Sequence, residues 1–154
     1  AIAAIKFADL QNNRSADYIF DLDRLTSFEG KTGPYLLYQA VRIKSLLRKA
    51  ADRGLKPESL NKVELGEHET TLALILSDFP NIVELTARNY TPHVLADYAY
   101  KLAQSFSSFY SHCPILNDDA EQGAQQSRLF LSALTLRSLE KTLDLLGIPT
   151  PERM

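Results

Sequence analysis

Leu36, Ala40, Ile43 and Leu47 recur at steps of four, three and four residues, the spacing that puts apolar side chains on one face of a helix. Thr32 stands ahead of them as an N-cap, and Pro34 falls in the first turn, where a missing N–H costs little. Gly54 is placed to stop the helix. Thr91-Pro92 repeats the cap-plus-proline signature before a stripe of Leu95, Tyr98, Ala99, Leu102, Phe106, Phe109 and Cys113, which Pro114 ends. A third stripe, Leu129, Ala133, Leu136, Leu139, Leu143 and Leu146, runs into the stop signals Gly147 and Pro149. Glu67 to Phe79, closed by Pro80, reads as a shorter helix, with room for another over Asn81 to Asn89. Ala1 to Gln11 is weakly helical, and Asn12 to Gly33 is mixed, with an apolar patch at Tyr18-Ile19-Phe20. Alternating strand patterns are nearly absent. The pattern predicts an all-α helical bundle with one long polar connection, Asn117 to Ser127.

Composition agrees with one ordinary globular domain: 154 residues, 45% hydrophobic and 23% charged. There is no internal repeat, and disordered or collagenous chains are excluded. The apolar run Leu72–Leu76 is five residues long, against the ~20 a membrane-spanning helix needs. Ala1 to Ile5 carries no leading positive charge, so no signal peptide is expected. Cys113 is the only cysteine, which excludes a disulfide within the chain and makes a reducing, cytoplasmic setting the expectation. The triplets Asn13-Arg14-Ser15 and Asn89-Tyr90-Thr91 read as chance matches to a glycosylation motif.

Charge changes the picture only when it is taken by segment. The net charge of −2 argues against a nucleic-acid binder, yet residues 38–56 hold Arg42, Lys44, Arg48, Lys49, Arg53 and Lys56 against Asp52 alone. Residues 57–88 and 117–127 are acidic. Screening acts over ~8 Å at physiological salt, so a partner feels the local patch and not the sum. Opposite the apolar stripe of the first long helix lie Tyr38, Arg42, Ser45 and Lys49, flanked by Arg48 and Arg53. An aromatic interleaved with cations on one helical face can stack a base while the cations hold phosphates. A solvated basic face explains the same spacing.

Catalytic chemistry is not visible. The six glycines are scattered and form no phosphate-cradling loop. His68, His93 and His112 are far apart in sequence, and none has a partner at metal-ligand spacing. His112 and Cys113 are sequence neighbours, which do not make a dyad, and a cysteine at the tail of an apolar stripe is expected to be inert core. Asp21 and Asp23 fit a turn or helix start.

Ser27-Phe28-Glu29-Gly30-Lys31-Thr32-Gly33-Pro34-Tyr35-Leu36-Leu37-Tyr38, followed by Ala40-Val41-Arg42-Ile43, resembles the segment by which arginyl-tRNA synthetases enter their C-terminal helical domain. Lys6-Phe7-Ala8-Asp9-Leu10 and Asn13-Arg14-Ser15 through Phe20-Asp21 resemble the stretch before it. Tyr110-Ser111-His112-Cys113-Pro114-Ile115-Leu116, and Leu145 through Met154, resemble the family's last helix and tail, with Met154 looking like a natural C-terminus. The blocks occur in order over almost the full chain.

The resemblance implies the all-α, Asp-Ala-Leu-Arg-type anticodon-binding domain of a class Ia aminoacyl-tRNA synthetase. That tetrapeptide survives here only as Gln39-Ala40-Val41-Arg42. The His-x-Gly-His and Lys-Met-Ser-Lys-Ser signatures of the catalytic domain do not occur. Residues 1–26 then lead in from an absent catalytic domain, and residues 27–154 are the helical domain. The parent would be an ATP-dependent arginine–tRNA ligase, with ATP and Mg²⁺ as its cofactors. This chain alone is expected to be inactive and to need no cofactor or metal. Its expected partners are tRNA(Arg) and the catalytic domain of the same polypeptide, with no membrane and a monomeric state. Phosphate contacts are expected from Arg42, Arg48 and Lys49, with Tyr38 interleaved; by resemblance, anticodon contacts fall to Phe106, Phe109, Tyr110, His112 and Met154. Periodicity puts Phe106 and Phe109 in the core instead, leaving Tyr110 and Met154 as the first choices. The competing class is a helical protein–protein interaction or oligomerisation module, with Leu37 and Leu46 as contact points.

Overall fold

The computed structural model describes residues 1–57, 64–117 and 122–154. They form seven helices: α1 (Ile2–Leu10), α2 (Leu22–Thr26), α3 (Gly33–Asp52), α4 (Glu67–Ser77), α5 (Phe79–Asn89), α6 (Pro92–His112) and α7 (Gln122–Leu145). Among the described residues there is no strand, as the pattern predicts. The long helices α3, α6 and α7 pack on one another, α4 lies across α6 and α7, and α1 sits on α3.

The capping chemistry sets the boundaries. The Thr32 hydroxyl accepts from the Tyr35 N–H, Pro34 lies in the first turn of α3, and Gly54 follows the helix at φ +74°, where glycine avoids the penalty a side chain would incur. Asp21 caps α2 by accepting from the Arg24 N–H, so this acid has the helix-start role its position suggested. Phe79 belongs to α5 and not to the end of α4, because Asp78 is the joint and Pro80 occupies the first turn of the next helix. α7 starts at Gln122, inside the stretch expected to be a loop; Asp118 to Glu121 of that stretch lie outside the described residues. Polar composition misled here because buried polar side chains are satisfied locally, Gln125 by donating to the Asn117 carbonyl. Ser127 donates to the Gly123 carbonyl, and Ser132, Thr135 and Thr142 each donate to the carbonyl four residues back. Such back-bonding lets a hydroxyl be buried inside a helix.

The core forms from the expected stripes. Leu36, Ala40 and Ile43 of α3 meet Leu95, Ala99, Leu102, Phe106 and Phe109 of α6 and Leu129, Leu139 and Leu143 of α7 in one buried cluster. Leu46 is buried in that cluster and Leu47 only half-buried, so Leu46 is not available as the partner contact of the alternative reading. α7 buries Leu131, Ser132 and Thr135 as well as its stripe, while Ala133 and Leu136 are half-buried, because it packs against α3, α4 and α6 together. Residues 1–26 feed the same core: Phe7 is fully buried in it, and Ala4, Ala8 and Leu25 are buried. Gly33 makes this approach possible, since a Cβ there would lie 2.2 Å from the Ala3 carbonyl oxygen.

Candidate nucleic-acid interface

Because the α3 stripe faces the core, Tyr38, Arg48 and Lys49 project outward, with Tyr38 47% exposed. Arg42, one turn after Tyr38, is half-buried; its guanidinium carbon lies 4.1 Å from the centre of the Tyr110 ring in the last turn of α6. Tyr110 keeps part of its surface in solvent and rests against Phe106 at 6.0 Å between ring centres. Beside it opens a cleft lined by Leu46, Pro114, Ile115, Leu116 and Asn117. Arg53, at the end of α3, donates to the Leu116 carbonyl at 3.0 Å and holds that wall of the cleft to the helix.

Phe106 and Phe109 are 0% exposed. Both are core residues, as their place on the stripe indicates, and the expectation of direct base contact by them is corrected: a ring with no accessible face cannot stack on a base. Phe106 instead backs Tyr110. His112 is exposed at the end of α6, where its Nδ1 lies 2.8 Å from the Ser108 carbonyl oxygen. Its ring stacks on His68 of α4 at 4.1 Å, with planes 18° apart. Distance in sequence hid this pair, which the antiparallel packing of α4 on α6 creates. Cys113 is buried, and burial followed by the nearby Glu69 carboxylate pushes its thiol pKa up. It is an inert core group.

The tail after α7 returns along α3. Ile148 is buried, and Lys6 of α1 donates to the Gly147 carbonyl at 2.6 Å. Further on, Lys44 reaches Glu152 at 2.5 Å and the Pro151 carbonyl at 3.2 Å, and Arg48 donates to the Glu152 carbonyl at 3.4 Å. Met154 follows, with more than half its surface exposed. Four of the expected residues, Tyr38, Arg42, Arg48 and Lys49, thus share α3; Tyr110 joins them through Arg42, and the tail joins them through Arg48. Lys44 was missed. It counts as one more cation in a basic stretch, and only the folded chain brings its acceptors to it.

Among the described residues no group of three His, Cys, Asp or Glu side chains converges to hold a metal ion, and no helix is long and apolar enough to cross a membrane.

A family profile described as "DALR anticodon binding domain" matches residues 36–154. The arginine–tRNA ligase of Maricaulis maris is 53% identical over 99% of this chain, which spans 26% of that protein. Among solved structures, the Thermus thermophilus arginyl-tRNA synthetase superposes over 99% of this chain with a TM-score of 0.90 at 36% identity. The arginyl-tRNA synthetase of Plasmodium falciparum does so with a TM-score of 0.83 at 33% identity. The chain corresponds to 26% and 27% of those two structures, respectively. It spans about a quarter of the length of the relatives it matches.

Proposed function

The chain belongs to the DALR anticodon binding domain family, and from that premise we propose that it grips the anticodon arm of tRNA(Arg) on behalf of an arginine–tRNA ligase. The observation that carries this reading is the Arg42–Tyr110 stack with exposed Tyr38 one turn earlier on α3 and Arg48 and Lys49 further along it. Unpaired anticodon bases can stack on such rings while Lys and Arg neutralise the adjoining phosphates.

The parent ligase would attach arginine to tRNA with ATP and Mg²⁺, both held by a catalytic domain this chain does not span. The contribution of this chain is positional: it fixes one end of the tRNA so that the other reaches the reacting groups. Residues 1–26 would lead in from that domain. Ile19, 91% exposed, together with exposed Phe20, Leu22 and Phe28, offers apolar surface for it to cover. A monomer working in the cytoplasm completes the reading.

Filter binding of the 154-residue chain to a tRNA(Arg) transcript tests it. Saturable binding that is lost on Tyr38→Ala, without loss of the cooperative melt, supports the assignment. The same preparation is expected to show no amino-acid-dependent ATP–pyrophosphate exchange; exchange above a blank, with contaminating synthetase excluded, would refute that part.

A further inference from the structure

Lys44 is 9% exposed, which requires that its ammonium be paired, because a buried unpaired charge is costly. Glu140 of α7, 2.9 Å away, ties it to the bundle but satisfies only one of the three N–H donors of the ammonium. The other two donors go to Glu152 at 2.5 Å and to the Pro151 carbonyl at 3.2 Å, both from the tail. Pro149 and Pro151 have no N–H to donate, and the Glu152 side chain is largely in solvent. We propose that Lys44 is a positioning residue for RNA binding: it clamps Pro151 and Glu152 against α3, so that Arg153 and Met154 leave the clamp beside Arg48, on the basic face. The inference rests on the RNA-binding reading above.

The clamp also settles a charge conflict. A free carboxylate at residue 152 would stand beside Arg48 and repel a phosphate held there, since like charges within ~8 Å are incompletely screened. Drawn to Lys44, which it shares with Glu140, Glu152 has its charge partly offset instead. The arrangement differs from a simple α3–α7 tie, which would use Glu140 alone.

Three variants separate the possibilities: Glu152→Ala, Glu140→Gln and Lys44→Met, the last with Lys44→Arg as the conservative rescue. Carboxypeptidase release of Met154 and Arg153 reports how firmly the tail is held, thermal melting reports the fold, and filter binding reports affinity for the tRNA(Arg) transcript. Glu152→Ala is expected to leave the melt unchanged, to speed tail release severalfold, and to weaken tRNA binding severalfold. The loss is diagnostic because deleting an acid next to a phosphate site would otherwise strengthen binding. Glu140→Gln is expected to lower the melting temperature without freeing the tail. Lys44→Met should free the tail, with Lys44→Arg restoring it; should Lys44→Met unfold the chain, Glu152→Ala still decides. Unchanged tail release in Glu152→Ala overturns the inference. Faster release with unchanged tRNA affinity also overturns it and leaves the RNA-binding reading standing, whereas absence of tRNA binding by the unmodified chain overturns both.

Discussion

The guanidinium of Arg42 covers the ring of Tyr110, joining the outward face of α3 to the last turn of α6, at the centre of the proposed interface. A partly desolvated cation–π pair is worth about 1 kcal/mol. Arg42→Ala and Tyr110→Ala are each expected to lower stability by about that much in urea melts, and the double variant by less than the sum because the two share one contact. Strict additivity would show that the stacked pair contributes nothing. Both single variants should also weaken tRNA binding, since a stacked base is worth ~1–3 kcal/mol by alanine substitution.

Arg48 and Lys49 are exposed, and the proposed function has them act through charge. Arg48→Ala and Lys49→Ala are expected to weaken binding equally for cognate and altered anticodons and to lower the salt slope by about 0.7 each. Titrations at three salt concentrations check this; a loss confined to the cognate anticodon would assign these residues to base reading.

Phe106 and Phe109 serve the core. Truncating a fully buried Phe costs ~3–5 kcal/mol, so Phe106→Ala is expected to abolish or severely broaden the cooperative melt. Retention of a normal melt with loss of tRNA binding would reverse the assignment of Phe106 to the core.

Glu69 and Arg128 form a shielded ion pair at 2.7 Å, and Arg128 also donates to the Pro114 carbonyl at 2.9 Å. Removing one partner of a buried pair costs ~3–5 kcal/mol because the other is left uncompensated. Glu69→Ala is expected near the lower end of that range, since Arg128 is partly exposed and keeps its carbonyl partner. Urea denaturation is the measurement.

The Glu152 carboxyl is held below the ordinary glutamate range by its hydrogen bond from Lys44, and next by the charge of that ammonium. A depressed carboxyl contributes an attachment present above its unfolded pKa and lost as pH falls through the folded one. The Arg153 amide shift should therefore stay constant from neutral pH down to about 4.3, the free glutamate value, and change only below it. In Lys44→Met the transition should move up toward that value.

The long helices were legible because α3 and α6 each carry a threonine, a proline and a stripe that point to the same boundary, although Thr32 makes its cap hydrogen bond and Thr91 holds the N-cap position without one. The start of α7 was not, since its buried Gln125 and Ser127, whose polar groups bond to nearby carbonyls, carry no hydrophobic signal. α2 is five residues long, too short for periodicity to register. At the candidate site, spacing found the α3 face and separated Tyr110 from Phe106 and Phe109. It could not find Lys44, the Arg42–Tyr110 stack or the His68–His112 pair, because each depends on which helices become neighbours.

The most direct test of an anticodon-arm interface is the salt dependence of binding between this chain and a tRNA(Arg) transcript, repeated with the anticodon replaced. Each phosphate neutralised on a single strand adds about −0.7 to the slope of log affinity against log salt, so Arg42, Arg48 and Lys49 together should give a slope of about −2, with severalfold weaker binding to the altered anticodon at every salt. Binding that ignores both salt and anticodon, or no binding at low salt, would contradict it.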